Sequence, residues 1–217
     1  MIRNYKVTTS LIPNKIEFID LGLNVRSPIG FNFHVDKIVS KAFSKLGLIN
    51  KVFHTRNTEN RVKLYKAFVR PLLEYASVVW SPYTISSINN VERVQRRMCR
   101  LIPDVSHLPY KQQLKSLGLL SLEARRLRFQ LITIFKIYKG LLKIDFNELF
   151  QVSDSHRTRG HDRHIIPNFT FHNYRLKFFT NFVISYWNQL SQEDIDVSSL
   201  SSFKTRLAGF FNKLDIW

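Results

Sequence analysis

The sequence predicts a mainly α-helical protein, with short strands at its amino end and a loop-rich carboxyl-terminal part. Apolar residues recur at helical spacing through most of the 217 residues. The composition, with 44% hydrophobic and 23% charged residues, is typical of a globular protein rather than a disordered chain. A net charge of +17 indicates a polyanionic partner, either a nucleic acid or an anionic membrane surface.

The cysteine content and hydropathy exclude several classes of protein. A single cysteine, Cys99, excludes an internal disulfide and any zinc site built on several cysteines, and it is expected to be buried and inert. The most apolar stretch, 178–187, is about half the length that a bilayer requires. The first ten residues lack the apolar core of a signal peptide. The sequence therefore predicts an intracellular protein, nuclear or cytoplasmic, without a membrane span.

Residues 1–33 are the least regular part of the chain. The segments KVTTSLI and KIEFIDLGLNV alternate loosely and carry β-branched residues, with Pro13 and Asn14 between them. This pattern predicts two short strands. Because an isolated pair of strands is unstable in water, we expect it to pack on a further structure, as the end of a larger domain would.

Helical spacing begins near Val35 and continues to a helix end expected at Gly47. Thr58 is the expected N-cap of the next helix, which contains Pro71. A proline inside a helical pattern predicts either a kink or a new helix that starts there. Glu74 lies among apolar neighbours, and we expect it to pair with a nearby arginine rather than to act in catalysis.

The following helix, capped by Ser86 or Ser87, carries the strongest basic signal. Its arginines occur at i, i+3, i+4 and i+7 and so share one face. They are either a solvated surface or a site for a polyanion, and the second interpretation is favoured because only Glu92 is near enough to neutralise them. The inner face is expected to comprise Ile88, Val91, Val94 or Gln95, Met98 and Leu101, and the outer face Arg93, Arg96, Arg97 and Arg100.

Two more helices are expected after this one. A short helix over 110–117 should be closed by Gly118, and Ser121 should cap a long helix over 122–139. Residues 86–143 contain 12 Lys/Arg against 3 Asp/Glu, whereas residues 144–217 contain 8 of each. The long helix is predicted to turn Leu127, Leu131, Ile134, Phe135 and Tyr138 inward and Arg125, Arg126, Arg128, Lys136 and Lys139 outward.

The carboxyl-terminal part combines a loop-rich connection, 151–175, with two helices. An aromatic-rich helix is expected over 178–190, and Ser198 or Ser199 should cap the last one. No metal site is expected, because the connection offers no cysteine and no His-x-x-x-His pair on a helix. Its basic and histidine residues include Arg157, Arg159, His156, His161, His164 and His172.

A series of segments, in this order, resembles the region after the catalytic palm in reverse transcriptases of non-LTR retrotransposons of the jockey-like and chicken-repeat-like group. No single segment is diagnostic, and together they cover most of the chain from residue 20 onward. The matching segments are DLGLNV at Asp20, HVDKIVSKAFSKLGLI at His34, LYKAFVRPLLEYASVVWSP at Leu64, VERVQRRMCRLI at Val91, LGLLSLEARRLRFQLITIFKIYKG at Leu117, RTRGH at Arg157, FFTNFVISYWNQL at Phe178 and FKTRL at Phe203.

The resemblance implies a palm remnant over 1–33, a helical thumb-like bundle over 34–150 and a carboxyl-terminal extension over 151–217. In that family the thumb grips the template–primer duplex through its backbone. The implied partners are the backbone of an RNA or DNA duplex and the missing palm and fingers of a parent polymerase, with no cofactor, metal or small-molecule substrate. The expected nucleic-acid-binding residues are Arg93, Arg96, Arg97, Arg100, Arg125, Arg126, Arg157, Arg159 and His161.

The sequence departs from that family at the catalytic centre. The family's polymerase motif contains two adjacent aspartates that hold the divalent metals of the reaction, and this sequence contains no Asp-Asp pair. We therefore expect a non-catalytic, truncated fragment rather than an enzyme. The alternative is a helical protein-interaction module, or a decayed transposon remnant without activity, in which the arginines are merely solvated.

Overall fold

The computed structural model describes residues 6–7, 10–11, 16–26, 30–53, 57–153, 163–167 and 179–215. As expected, the chain is mainly helical. The strands are β1 (Lys6–Val7), β2 (Ser10–Leu11), β3 (Glu17–Asp20), β4 (Leu23–Arg26), β5 (Gln151–Val152) and β6 (Ile165–Ile166). The α-helices are α1 (Asn32–Val52), α2 (Thr58–Leu64), α3 (Arg70–Glu74), α4 (Ser77–Trp80), α5 (Ile85–Arg100), α6 (Pro103–Ser106), α7 (Tyr110–Ser116), α8 (Leu122–Tyr138), α9 (Phe146–Leu149), α10 (Phe179–Phe182), α11 (Ile184–Trp187), α12 (Gln192–Ile195) and α13 (Leu200–Lys213).

The amino-terminal strands form two antiparallel hairpins, β1–β2 and β3–β4, so each expected strand is itself a hairpin. The β3–β4 turn is tight because Leu21 and Gly22 both have positive φ, 44° and 81°, as a two-residue hairpin turn requires. The Tyr75 hydroxyl donates a hydrogen bond to the Leu21 carbonyl at 2.8 Å. The Lys37 ammonium also donates to Asn24 Oδ1 at 2.9 Å. The hairpin is therefore attached to α1 and to the end of α3.

Helix α1 passes through Gly47, where a helix end was expected. A glycine inside a helix costs about 1 kcal/mol relative to alanine. Leu46 is buried and Ile49 packs against the same core, so apolar contacts continue on both sides of the glycine. That burial outweighs the local penalty, and the expectation of an end at Gly47 is wrong.

A π-helical turn over Tyr65–Val69 separates α2 from α3, and Pro71 lies in the first turn of α3. The Arg70 amide bonds to the carbonyl of Tyr65, five residues earlier. A proline clashes with the carbonyl four residues before it in a regular α-helix. The wider π-turn, formed immediately before Pro71, accommodates the ring. Pro71 is the second residue of α3, one position from the helix start that was one of the two expected outcomes.

Side-chain caps begin several helices, although not always at the expected residue. Ser121 and Ser199 cap α8 and α13 as predicted, each accepting an amide hydrogen bond from the third residue after it. Asn57 caps α2 in place of Thr58, and Thr84 caps α5 in place of Ser86 or Ser87. All these residue types have a short side-chain oxygen, so the sequence signal did not distinguish neighbouring candidates.

Two clusters of buried apolar residues share helix α8. The first runs from Leu23 to Leu122 and contains Trp80, and the second runs from Ala124 to Phe211 and contains Trp187. The expected aromatic helix over 178–190 is divided at Val183 into α10 and α11. Because one helix contributes to both clusters, nearly every side of α8 is covered.

Candidate nucleic-acid interface

Helix α5 presents a row of arginines on its outer face, as its spacing predicts. Arg93, Arg97 and Arg100 are exposed. On the opposite face, Val91 and Met98 are buried against the first core. The helix thus has a buried apolar face that fixes it and a basic face turned to solvent.

Two arginines of this helix rest on aromatic rings. The Arg93 guanidinium carbon lies 5.8 Å from the centre of the Phe43 ring, and that of Arg96 lies 5.0 Å from the centre of the Tyr110 ring. Arg96 is half-buried, and its Nε atom is covered and has no hydrogen-bond partner among the described residues. Arg96 is therefore less available to a ligand than the other members of the row. The contacts with the aromatic rings restrict the side chains of Arg93 and Arg96, so these side chains lose less conformational entropy when they bind a ligand.

Within the described ranges, the exposed arginines of α5 have no acidic neighbour in contact. In the part of the chain that the structure describes, no carboxylate oxygen lies within 4.0 Å of a side-chain nitrogen of Arg93, Arg97 or Arg100. Glu92 was expected to neutralise them, but it is 4% exposed and faces the interior. The charge of this face is consequently less compensated than the sequence indicates.

Glu92 instead joins α5 to α7 and α8. Its carboxylate accepts hydrogen bonds from the Tyr110 hydroxyl and, at 3.0 Å, from the amide of Leu122, the first residue of α8. Burial raises the pKa of the Glu92 carboxyl, and these hydrogen bonds with the charges of Arg126 and Arg96 oppose that rise. A carboxylate at a helix amino terminus satisfies an otherwise free amide and interacts favourably with the helix dipole.

Arg125 and Arg126 do not lie on an outer face, so their expected outward orientation is wrong. The Arg125 guanidinium binds the Glu74 carboxylate through Nε and, at 3.0 Å, through Nη2. Arg126 is 2% exposed. The reason is the position of α8 between two cores, which the amphipathic pattern of one helix does not reveal. The expectation that Glu74 pairs with an arginine is confirmed, with Arg70 as a second partner at 3.6 Å.

Helix α1 carries a second basic line that was not included among the expected site residues. Lys41 and Lys45 are exposed and line a shallow groove of about 380 Å³ with Ser40 and Ser44. Helices α1 and α5 run in the same direction. Ser87 bonds to Asn32 near the start of both helices, and Asn90 donates to Asp36 further along both. Lys37, Lys41 and Lys45 recur at i, i+4 and i+8 in the sequence, but only the packing of α1 shows that this face is exposed.

The basic loop residues Arg157, Arg159 and His161 lie outside the described residues, as do His156 and His172. Among the residues that are described, no group of three His, Cys, Asp or Glu side chains could hold a metal ion. Cys99 is buried, as expected, and burial raises the pKa of its thiol to about 12. No helix within the described ranges is long and apolar enough to cross a membrane.

Comparisons with known proteins provide little functional information. No protein-family model and no solved structure match the chain. The chain is similar to an uncharacterized protein of Caenorhabditis elegans, with 27% identity over 140 residues, which cover 63% of this chain and 68% of that protein.

Proposed function

We propose that this chain is a non-catalytic, thumb-like module that binds the backbone of a nucleic-acid duplex, with the exposed arginine row of α5 as its main contact. One observation carries the proposal: among the residues that the structure describes, no carboxylate pairs with Arg93, Arg97 or Arg100. The net charge of +17 and the resemblance to the post-palm region of non-LTR reverse transcriptases support it. The proposal assigns no chemical step to the chain, whose sequence lacks the adjacent aspartates of that family's polymerases.

The mechanism is neutralisation of phosphates by a rigid helical row. A helix rises about 1.5 Å per residue, so Arg93 and Arg100 are separated by about 10 Å along α5. A duplex carries one phosphate charge per about 1.7 Å of its axis, so several phosphates lie within reach of this row. Contacts of this kind position a duplex without reading its sequence. The binding is therefore expected to show little base preference.

A protein partner is the second candidate, and the exposed β3–β4 hairpin favours it. Ile19 is 70% exposed and Leu21 82% exposed, and Phe18 on the same strand is 47% exposed. Exposed apolar side chains on a two-stranded hairpin are typical of a surface covered by another protein segment. In a parent polymerase, palm and finger regions would occupy this position.

The test is a fluorescence-anisotropy titration of an RNA–DNA hybrid duplex of random sequence at several salt concentrations. For B-form DNA, each phosphate contact contributes about −0.9 to the slope of log K against log salt. Replacing Arg97 and Arg100 by glutamine should weaken binding to all sequences and flatten the slope by up to about 1.8. Lys204→Gln with Lys213→Gln, which removes two exposed charges from α13, is the matched control.

The control variant should change the slope less than the α5 variant does. Equal slopes for the parent and the α5 variant would contradict the proposed contact. The absence of binding at low salt would favour the interaction-module alternative.

A further inference from the structure

A cavity of about 430 Å³ lies beside helix α8, and its lining residues do not include the arginines of the α5 row. It is bounded by α8, by the segment between α4 and α5, by Ile88 of α5, by helices α10 and α11, and by Asp215 after α13. This volume lies within the range of small-molecule sites in proteins, about 300–1,000 Å³. Its apolar walls come from Pro82, Ile88, Leu127, Phe182 and Tyr186.

Two polar side chains of α8 line this cavity, and three of their atoms have no hydrogen-bond partner among the described residues. Arg126 is 2% exposed and Gln130 is 1% exposed. In the part of the chain that the structure describes, the Nη1 and Nη2 atoms of Arg126 and the Oε1 atom of Gln130 accept or donate no hydrogen bond. Buried polar groups are satisfied in more than about nine cases in ten, because an unmade hydrogen bond costs roughly 1–3 kcal/mol. Three such atoms on residues one helical turn apart therefore lack the partners that buried polar groups normally have. All three are covered, so a ligand in the cavity reaches them only when these two side chains turn toward it.

No acid among the described residues forms a hydrogen bond with the Arg126 guanidinium. Glu92 interacts with Arg126 through space, but its oxygens accept hydrogen bonds from Tyr110 and Leu122. Glu123 also lines the cavity and is exposed, and Asp215 at the same cavity pairs with Lys111. An arginine stays charged even when buried, so its positive charge attracts an anion that enters the cavity.

We infer that this cavity binds a small molecule that carries one carboxylate, an adjacent N–H donor and an apolar or aromatic body. The planar guanidinium fork of Arg126 matches the two oxygens of a carboxylate. Gln130 Oε1 accepts the neighbouring N–H of the ligand. The apolar walls enclose its body. Glu123 in the same lining disfavours a multiply charged phosphate, so the ligand is a monoanion.

Three probes separate these contributions in isothermal titration calorimetry with the full chain. N-acetylphenylalanine has the carboxylate, the amide N–H and the ring. N-acetylphenylalaninamide keeps all but the charge, and phenyl phosphate replaces the carboxylate by a dianion. We expect the first to bind at least about tenfold more tightly than the other two, since each factor of ten requires only 1.4 kcal/mol.

Two variants test the placement of the ligand. Gln130→Glu supplies a carboxylate at i+4 from Arg126, so it should pair with the fork, raise the melting temperature and abolish binding. Arg126→Leu should also abolish binding. Arg128→Gln is the matched control, because Arg128 bonds to the Lys204 carbonyl and is absent from the cavity lining.

The control should bind N-acetylphenylalanine as the parent does. The inference is overturned by any of three results: no binding of N-acetylphenylalanine at up to about 10 mM, equal affinity for the uncharged amide, or unchanged affinity in Gln130→Glu. If Gln130→Glu raises the melting temperature but the parent binds none of the probes, then Arg126 is only an unsatisfied core residue.

Discussion

At the scale of single residues, the polar contacts inside the helical bundle are concentrated on Glu92, Gln95 and Tyr110. Tyr65 donates to Gln95 at 2.8 Å, and Gln95 Nε2 donates to the Leu120 carbonyl at 3.0 Å and to the Tyr110 hydroxyl at 3.2 Å. These bonds join the π-helical turn, α5, α7 and the start of α8. A fully bonded buried network favours one arrangement of its helices, because shifting any helix leaves a buried group unpaired.

Glu92→Gln should alter the pH dependence of stability. Burial raises the pKa of Glu92 in the folded chain above its ordinary value of 4.5. The folded state therefore binds the proton more tightly than the unfolded state. Protonation of Glu92 therefore stabilises the folded chain. This contribution is fully present below the pKa of Glu92 in the unfolded chain, and it is lost as the pH rises through the pKa of Glu92 in the folded chain. Each unit of pKa elevation corresponds to about 1.4 kcal/mol.

The glutamine variant lacks this titration, so its stability relative to the parent should improve as the pH rises from 4.5 toward neutrality. Urea denaturation of both proteins at several pH values measures the difference. Titration of the Glu92 carboxyl by carbon NMR is the direct control. Two results would contradict burial as the cause: a difference in unfolding free energy between the two proteins that does not change with pH, or a Glu92 carboxyl that titrates below 4.5.

At the scale of elements, Glu74 at the end of α3 connects that helix to α8. Its side chain is 12% exposed, and that of Arg125 is 17% exposed. Arg70 and Arg125 both lower the pKa of Lys66, after burial as the larger cause. Glu74 is therefore the carboxylate at the centre of a group of cations between the two helices.

Glu74→Ala should destabilise the protein much more than Arg125→Ala does. Removing the carboxylate leaves the cations facing one another in a largely buried position, which typically costs about 3–5 kcal/mol. Removing Arg125 leaves Glu74 with Arg70, so a loss of about 1–2 kcal/mol is expected. Chemical denaturation of both variants checks the order. If both variants lose the same unfolding free energy, Arg70 does not bind the Glu74 carboxylate after Arg125 is removed.

At the scale of the whole molecule, the two apolar clusters are joined by α8, with Leu122 in the first and Ala124 in the second. Phe135 of α8 stacks on Phe203 of α13, with ring centres 4.0 Å apart. A continuous helix that contributes side chains to both clusters cannot remain folded on one side alone without exposing apolar surface.

The two clusters should therefore unfold together. Trp80 reports on the first cluster and Trp187 on the second. In a chain with Trp217→Phe, adding either Trp80→Phe or Trp187→Phe leaves one tryptophan as the probe. For each variant, the urea transition by fluorescence should coincide with that by far-ultraviolet circular dichroism, as a two-state transition requires. Fluorescence and dichroism transitions that separate would show that the clusters unfold independently.

The sequence by itself determined the helical class, the buried face of α5 and the caps of α8 and α13. These features depend on residues close together in the chain, so periodicity and capping chemistry suffice to predict them. The exposed position of Arg93, Arg97 and Arg100 follows from the same local pattern, because their opposite face is strongly apolar. The arginine face was thus predictable, whereas its binding of a duplex remains a proposal.

Only the tertiary structure decided the fate of Arg125, Arg126 and Glu92. Each was expected at or near the basic surface, but α8 lies between two clusters whose residues come from distant parts of the chain. The number of faces of a helix that are covered depends on these distant contacts, and no spacing within the helix encodes it. For the same reason, the cavity beside Arg126 and Gln130 could not be predicted from the sequence: its walls come from segments separated by about a hundred residues, from Pro82 to Tyr186.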